Sequence, residues 1–334
     1  MSTKDLRIEA ILKWLKNQLQ IEIESLTPAS TDASFRRYFR IIVQGKPLII
    51  MDAPPKKEDI KPFIKVAKLF SDCHINVPEI IQINLEQGFL LLEDFGSNCY
   101  LDLLNSENAD SLYLDALNSL FFLQSNTQLK NCDFPEYDQQ LLLKELDIFG
   151  EWFLAEKLNL RLTQQQKAIL NNTWLTLVNS ALAQPRTCVH RDYHSRNLMF
   201  TETKNPGVID FQDAVIGPVC YDLVSLLRDC YINWPERKVT QWQTEYFHRL
   251  EATGLVTCNI DTFQYWFDLM GMQRHLKAIG IFSRLELRDS KANYLQDIPR
   301  TMNYITQVSS RYPELAEFND FLDQTVLPAW RICQ

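Results

Sequence analysis

The chain has 334 residues, of which 46% are hydrophobic and 23% charged, a balance that excludes wholesale disorder. At this length one core usually divides, so two lobes are expected. With 34 basic against 42 acidic side chains the net charge is −8, which argues against a general binder of nucleic-acid backbones.

The first 19 residues interleave charges with Leu6, Ile8, Ile11, Leu12, Leu15 and Leu19 at mostly helical spacing. That pattern predicts an amphipathic helix and not a secretory signal. FRRYFRIIV (35–43), a turn at Gln44-Gly45-Lys46, and PLIIM (47–51) read as a hairpin of β-branched and aromatic residues. A helix is expected over 58–73 with Pro62 in its first turn, then a second hairpin from EIIQINL (79–85) and GFLLLED (88–94). Beyond Phe95-Gly96 the pattern turns helical over 108–126, 137–157, 163–183, 219–232, 236–252, 260–282, 293–308 and 313–325. One non-helical island, 186–213, carries the short apolar runs TCVH, NLMF and GVIDF. The expected class is α+β, with a small antiparallel-sheet N-lobe over 1–95 and a large, mainly helical C-lobe over 96–334.

Eight cysteines are scattered without a C-x-x-C pair, so zinc and thioredoxin-like motifs are disfavoured, and buried thiols in a reducing compartment are expected. The nine glycines form neither G-x-G-x-x-G nor a Walker loop. No apolar run approaches the roughly 18–20 residues of a membrane helix. The cytoplasm is the expected location.

Chemistry concentrates in the island. His190-Arg191-Asp192-Tyr193-His194-Ser195-Arg196-Asn197 precedes an apolar strand and then Val208-Ile209-Asp210-Phe211. H-x-D-x-x-x-x-N followed by a strand-end Asp is a phosphoryl-transfer layout. Asp192 can accept the proton of an attacking hydroxyl, while Asn197 and Asp210 offer oxygen ligands to Mg²⁺. His190 and His194 lack a third strong ligand nearby, so a role in shaping the loop is favoured over zinc, with a proton shuttle at His194 as the lesser alternative. Asp222 opens a helix and is read as support for that helix or for the loop backbone. Asp213 is either a metal or substrate contact or a solvated turn carboxylate.

These motifs resemble the aminoglycoside phosphotransferase and choline kinase superfamily, whose catalytic loop reads H-x-D-x-H-x-x-N with a following Ile-Asp and a later Y-D-L. Here they are His190, Asp192, His194, Asn197, Ile209-Asp210 and Tyr221-Asp222-Leu223. Together with ASTDASFRRYFR, MDAPP and LLEDFGS, they look most like the bacterial anomeric kinases of N-acetylmuramate and N-acetylglucosamine, which serve peptidoglycan recycling. The resemblance implies a protein-kinase-like bilobal fold, ATP and Mg²⁺ as cofactors, a small amino-sugar substrate, and Asp192 as catalytic base with Asn197 and Asp210 on the metal. It places Glu93 and Phe95 at the hinge that meets adenine, and Ser30, Thr31 and Ser34 in the loop covering the phosphates.

Kinase-like folds carry a lysine on the third strand, where this chain reads Leu48-Ile49-Ile50-Met51-Asp52. Arg36, Arg37 and Arg40 are the nearest substitutes. In period 2 Arg37 points opposite to the other two; Arg37 is counted among the nucleotide-binding candidates. Arg191, Arg196 and Arg228 could meet an acceptor carboxylate or pair with nearby aspartates. Trp234, Tyr265, Trp266 and Phe267 could stack on a sugar ring or belong to the core. The rival readings are an aminoglycoside or choline-type kinase of the same fold, or a nucleotide-binding pseudokinase.

Overall fold

Asp5 caps the first helix, α1 (Leu6–Lys13), by accepting from the Arg7 and Ile8 amides, and the helix continues through wider turns over Trp14–Gln18. The computed structural model describes residues 5–29 and 36–333. The chain divides into two compact units: residues through Asn105 together with Arg196–Asp213, and Ser106–Ser195 together with Ala214–Gln334. The 196–213 segment, expected within the helical lobe, is thus grouped with the sheet.

In the first unit β1 (Ser25–Pro28), β2 (Arg37–Val43), β3 (Lys46–Asp52), β4 (Ile80–Asn84) and β5 (Phe89–Glu93) form an antiparallel sheet in the order β1-β2-β3-β5-β4. Both expected hairpin pairs of strands are present; β1 had no alternating signal strong enough to predict it. Because side chains alternate faces, Phe39, Ile50 and Leu91, which are register partners, point one way. They meet Ile11, Trp14 and Leu15 of the N-terminal helix in one buried cluster. Arg40, Ile49 and Leu92 are likewise partners and share the opposite face. Helix α2 (Lys61–Asp72) carries Pro62 in its first turn, where a missing amide costs nothing. A short helix α3 (Tyr100–Leu103) and a two-strand hairpin, Leu198–Met199 with Gly207–Val208, complete the unit.

The second unit is built from α4 (Ala109–Ser125), α5 (Thr127–Lys130), α6 (Gln139–Ile148), α7 (Gln164–Leu182), α8 (Cys220–Leu227), α9 (Glu236–Ala252), α10 (Ile260–Asp289), α11 (Ile298–Ser309), α12 (Ala316–Phe321) and α13 (Leu327–Cys333). α10 runs through its middle and is seven residues longer than its apolar spacing predicts. At Gly280 a Cβ would lie 2.6 Å from the Ile148 carbonyl. Glycine there lets α10 pack directly on the backbone where α6 passes into wider turns at Phe149–Lys157.

The helix expected over 219–232 stops at Leu227. His275 Nε2 lies 2.8 Å from the Arg228 carbonyl, and Asp229 turns back to Ser195, so side-chain hydrogen bonds divert the backbone. Arg186–Val189 pairs antiparallel with Val215–Pro218, a strand that had no separate sequence signal. None of the eight cysteines forms a disulfide; Cys73, Cys188, Cys220 and Cys230 are buried, whereas Cys333 is exposed. Among the described residues no helix is long and apolar enough to cross a membrane.

Candidate functional site

Each unit contains a recess that collects chemistry-bearing residues. In the first unit a cavity of about 360 Å³ is lined by Ile49, Phe63, Leu92, Met199, Ile209 and Phe211 on its apolar parts. Its polar rim comprises Arg40, the run Glu93-Asp94-Phe95-Gly96-Ser97, Arg196, Asn197 and Asp210. Asn197 Nδ2 lies 3.5 Å from Asp210 Oδ2, and Gln212 Nε2 donates to Asp210 Oδ1 at 2.8 Å. Asp210 holds a positive φ of 64°, an uncommon backbone for an L residue that aims its carboxylate. The hairpin approaches Phe95 closely at Gly207, where a Cβ would sit 2.5 Å from the ring.

Arg40 clamps the run from Asp94 to Ser97. Its guanidinium pairs with Asp94, donates to the Gly96 carbonyl at 2.7 Å and to Ser97 Oγ at 2.8 Å. Arg37 is a correction to the sequence reading. It lies on the α1 face of β2, away from the cavity-lining Arg40, where it pairs with Asp5 and donates to the buried Asp52 at 2.6 Å. Arg7 holds the other oxygen of Asp52. Two aspartates therefore engage Arg37, and Arg40 is the strand arginine facing the cavity. Asp213 is exposed, 3.4 Å from Gln212 Nε2 and outside the cavity lining. Ser30, Thr31 and Ser34 lie outside the described residues.

In the second unit the paired strand Arg186–Val189 delivers the chain to His190. Asp222, at the start of α8, accepts the His190 amide at 2.6 Å and the Arg191 amide at 3.0 Å. These two bonds hold Arg191 at a φ of 78°. Burial pushes the Asp222 carboxyl up to about 7, against the pull of the same two amides. Farther along, Asp229 accepts from the Ser195 amide at 2.9 Å and its hydroxyl at 2.5 Å. The loop is thus pinned at both ends by buried carboxylates. His190 Nδ1 accepts the Asp192 amide at 3.2 Å.

Asp192 and His194 line a recess of about 110 Å³ with Tyr221, Cys230, Tyr231, Arg274, Lys277, Ala278, Ile281 and Phe282. Burial alone would raise the Asp192 carboxyl, but the electrostatic influence of Lys277, followed by that of His194, His190 and Arg274, outweighs it and holds the group below its ordinary range. An ionised carboxylate at neutral pH is the state a proton acceptor needs. Arg191 is not among the residues lining this recess; it donates to Glu145 at 2.5 Å. Lys277 joins the same Glu145 at 2.8 Å and the Tyr221 hydroxyl at 3.1 Å. Arg228 pairs with Asp268 at 2.7 Å and Glu236 at 3.0 Å.

None of the four aromatics singled out by sequence lines this recess. Trp234 donates to the Tyr113 hydroxyl, Tyr265 packs on Tyr312, and Phe267 lies buried beneath Arg228. Tyr221, Tyr231 and Phe282 supply the rings instead. Arg274 and Lys277 were also missed. The signal was present: two cations three residues apart, on one face, within the largely buried middle of a long helix.

Residues 25–257 match the model of the phosphotransferase enzyme family, and the chain belongs to that family. It is 44% identical to an N-acetylmuramate/N-acetylglucosamine kinase of Pseudomonas putida, covering 96% of this chain and 97% of the relative. A kinase of the same name from Neisseria meningitidis is 42% identical, with 94% of each chain covered. Among solved structures, a choline kinase of Streptococcus pneumoniae superposes with a TM-score of 0.63 at 12% identity, over 90% of this chain and 99% of that one. The ADP-bound aminoglycoside phosphotransferase APH(2'')-Ib gives 0.62 at 16% identity, over 91% and 99%. The fold is accordingly the α+β, kinase-like one, and the chain is a phosphotransferase.

Proposed function

We propose that this enzyme transfers the γ-phosphoryl group of ATP to the anomeric hydroxyl of N-acetylmuramate or N-acetylglucosamine, giving the sugar 1-phosphate for cell-wall recycling in the cytoplasm. The observation that carries the reading is near-complete coverage, at 44% identity, of a kinase named for those two sugars.

The first cavity has the makings of a nucleotide site. Its apolar lining suits a purine, and the hinge backbone from Glu93 to Ser97 offers donors and acceptors. Asn197 and Asp210 fit Mg²⁺, a hard cation that takes few protein oxygens and keeps much of its water. When bound, that ion neutralises charge on the phosphate oxygens. Ser30, Thr31 and Ser34 are assigned to phosphate contacts on sequence grounds. In the second recess Asp192 orients the acceptor hydroxyl and receives its proton. Arg274 and Lys277 beside it disfavour the rival acceptors, because a polycation or a quaternary ammonium would meet like charge.

The test is ADP release from Mg-ATP with N-acetylmuramate, N-acetylglucosamine, kanamycin and choline in parallel. Phosphorus NMR then separates a 1-phosphate from a 6-phosphate. Turnover on the two amino sugars supports the reading; turnover confined to kanamycin or choline refutes it. Asp192→Asn is expected to keep nucleotide affinity, read by calorimetry, and to lose about 10³-fold in kcat.

A further inference from the structure

The recess around Asp192 contains a buried guanidinium that hydrogen-bonds no carboxylate among the described residues; the negative charges of Asp229 and Asp192 act on Arg274 through space. Arg274 is 6% exposed. Among the described residues its hydrogen bond is to Cys230 Sγ at 3.7 Å, and a thiol sulfur is a weak acceptor for a guanidinium with five N–H donors. Neighbouring cations are better satisfied. Lys277 and Arg191 share Glu145, Arg228 holds Asp268 and Glu236, and Arg300 donates to the Cys230 carbonyl at 2.7 Å. The nearby carboxylate of Asp229 is engaged by Ser195 through one oxygen and by the Tyr231 amide through the other, at 3.0 Å.

A nearly buried guanidinium whose hydrogen bond goes to a weak thiol acceptor keeps strong donors available, so an arginine facing a recess in this way marks a place for an incoming anion. Its planar fork matches a carboxylate with two parallel hydrogen bonds. The two candidate sugars differ in one charged group, the lactyl carboxylate carried by N-acetylmuramate and absent from N-acetylglucosamine.

We propose that Arg274 receives the lactyl carboxylate of N-acetylmuramate in the recess and sets the preference of the enzyme between its two acceptors. The proposal rests on the amino-sugar kinase reading above. Arg191, Arg196 and Arg228, the sequence candidates for this contact, are displaced by it: Arg191 and Arg228 are engaged by carboxylates, and Arg196 lines the nucleotide-type cavity.

The experiment measures kcat/KM with Mg-ATP for N-acetylmuramate, for its lactamide, in which a neutral carboxamide replaces the carboxylate, and for N-acetylglucosamine. Wild type is compared with Arg274→Met and Arg274→Lys. Wild type is expected to favour the acid over the lactamide by about 50-fold or more, the scale of a desolvated charge pair. Arg274→Met is expected to bring that ratio to within about threefold of unity, chiefly through KM, and Arg274→Lys to give an intermediate ratio because it keeps charge without the fork. An acid-to-amide ratio unchanged in Arg274→Met overturns the proposal, as does a wild type indifferent to the exchange. If Arg274→Met does not fold, the wild-type ratio and Arg274→Lys decide the matter. A wild type that phosphorylates neither sugar removes the kinase reading and this proposal with it, whereas sugar turnover with an unmoved ratio removes the proposal alone.

Discussion

Asp192 is a carboxylate among cations, and its chemistry follows from that company. Burial raises its affinity for a proton, but Lys277, His194, His190 and Arg274 lower it by more. For a base, activity falls as pH drops through the pKa of the group that must be ionised. Lys277→Met removes the largest of the opposing charges, so the acid limb of the kcat/KM profile is expected to move to higher pH. A limb that stays in place would show that Lys277 does not set the ionisation of Asp192. Arg37 makes a different point at this scale. A cation near a strand end is no evidence of a phosphate contact when buried Asp52 needs it more.

At the scale of elements, the faces of β2 and the packing of α10 decide what the side chains can reach. α1 and the wider turns that continue it cover one face of the sheet through Ile11, Trp14 and Leu15, which leaves Tyr38, Arg40, Ile49 and Leu92 to line the cavity. α10 carries Arg274 and Lys277 into the recess, and its position is fixed where Gly280 meets the Ile148 carbonyl. Gly280→Ala is expected to destabilise the protein by about 1–3 kcal/mol, because a Cβ overpacks against backbone that cannot rotate away. Urea unfolding checks this, and an unchanged midpoint would show that the two helices separate freely. The hairpin expectations succeeded where β-branched, aromatic and other apolar runs flank a short turn. The strands Ser25–Pro28 and Val215–Pro218 were missed because four residues carry too little periodicity to be distinguished from loop.

For the whole molecule, stability should depend on pH through His275. Burial, reinforced by Arg274, pushes its pKa down to about 3. Its Nε2 faces the Arg228 carbonyl, and its Nδ1 finds no acceptor or donor among the described residues. The unfolded chain takes up a proton near pH 6.5, whereas the folded protein resists it until about pH 3. The stabilisation is therefore complete above pH 6.5 and falls away as the pH drops through that interval. Between pH 7 and 5 the wild type is expected to lose about 2 kcal/mol from this residue alone. His275→Gln should flatten that part of the curve in denaturant titrations at the two values, and an equally steep decline would dismiss the role.

Local chemistry was legible from residue order. Alternation and helical spacing located most strands and helices, and the His190–Asn197 loop with Asp210 announced phosphoryl transfer, because these signals depend on neighbours a few positions apart. Period 2 also established that Arg37 and Arg40 oppose one another. It could not say which of them faces the cavity, since that depends on where α1 packs. The same holds for Arg274, Lys277 and Glu145, which lie far apart in sequence from Asp192 or from one another. Spacing orients side chains within an element; only packing between elements decides which charges are buried together.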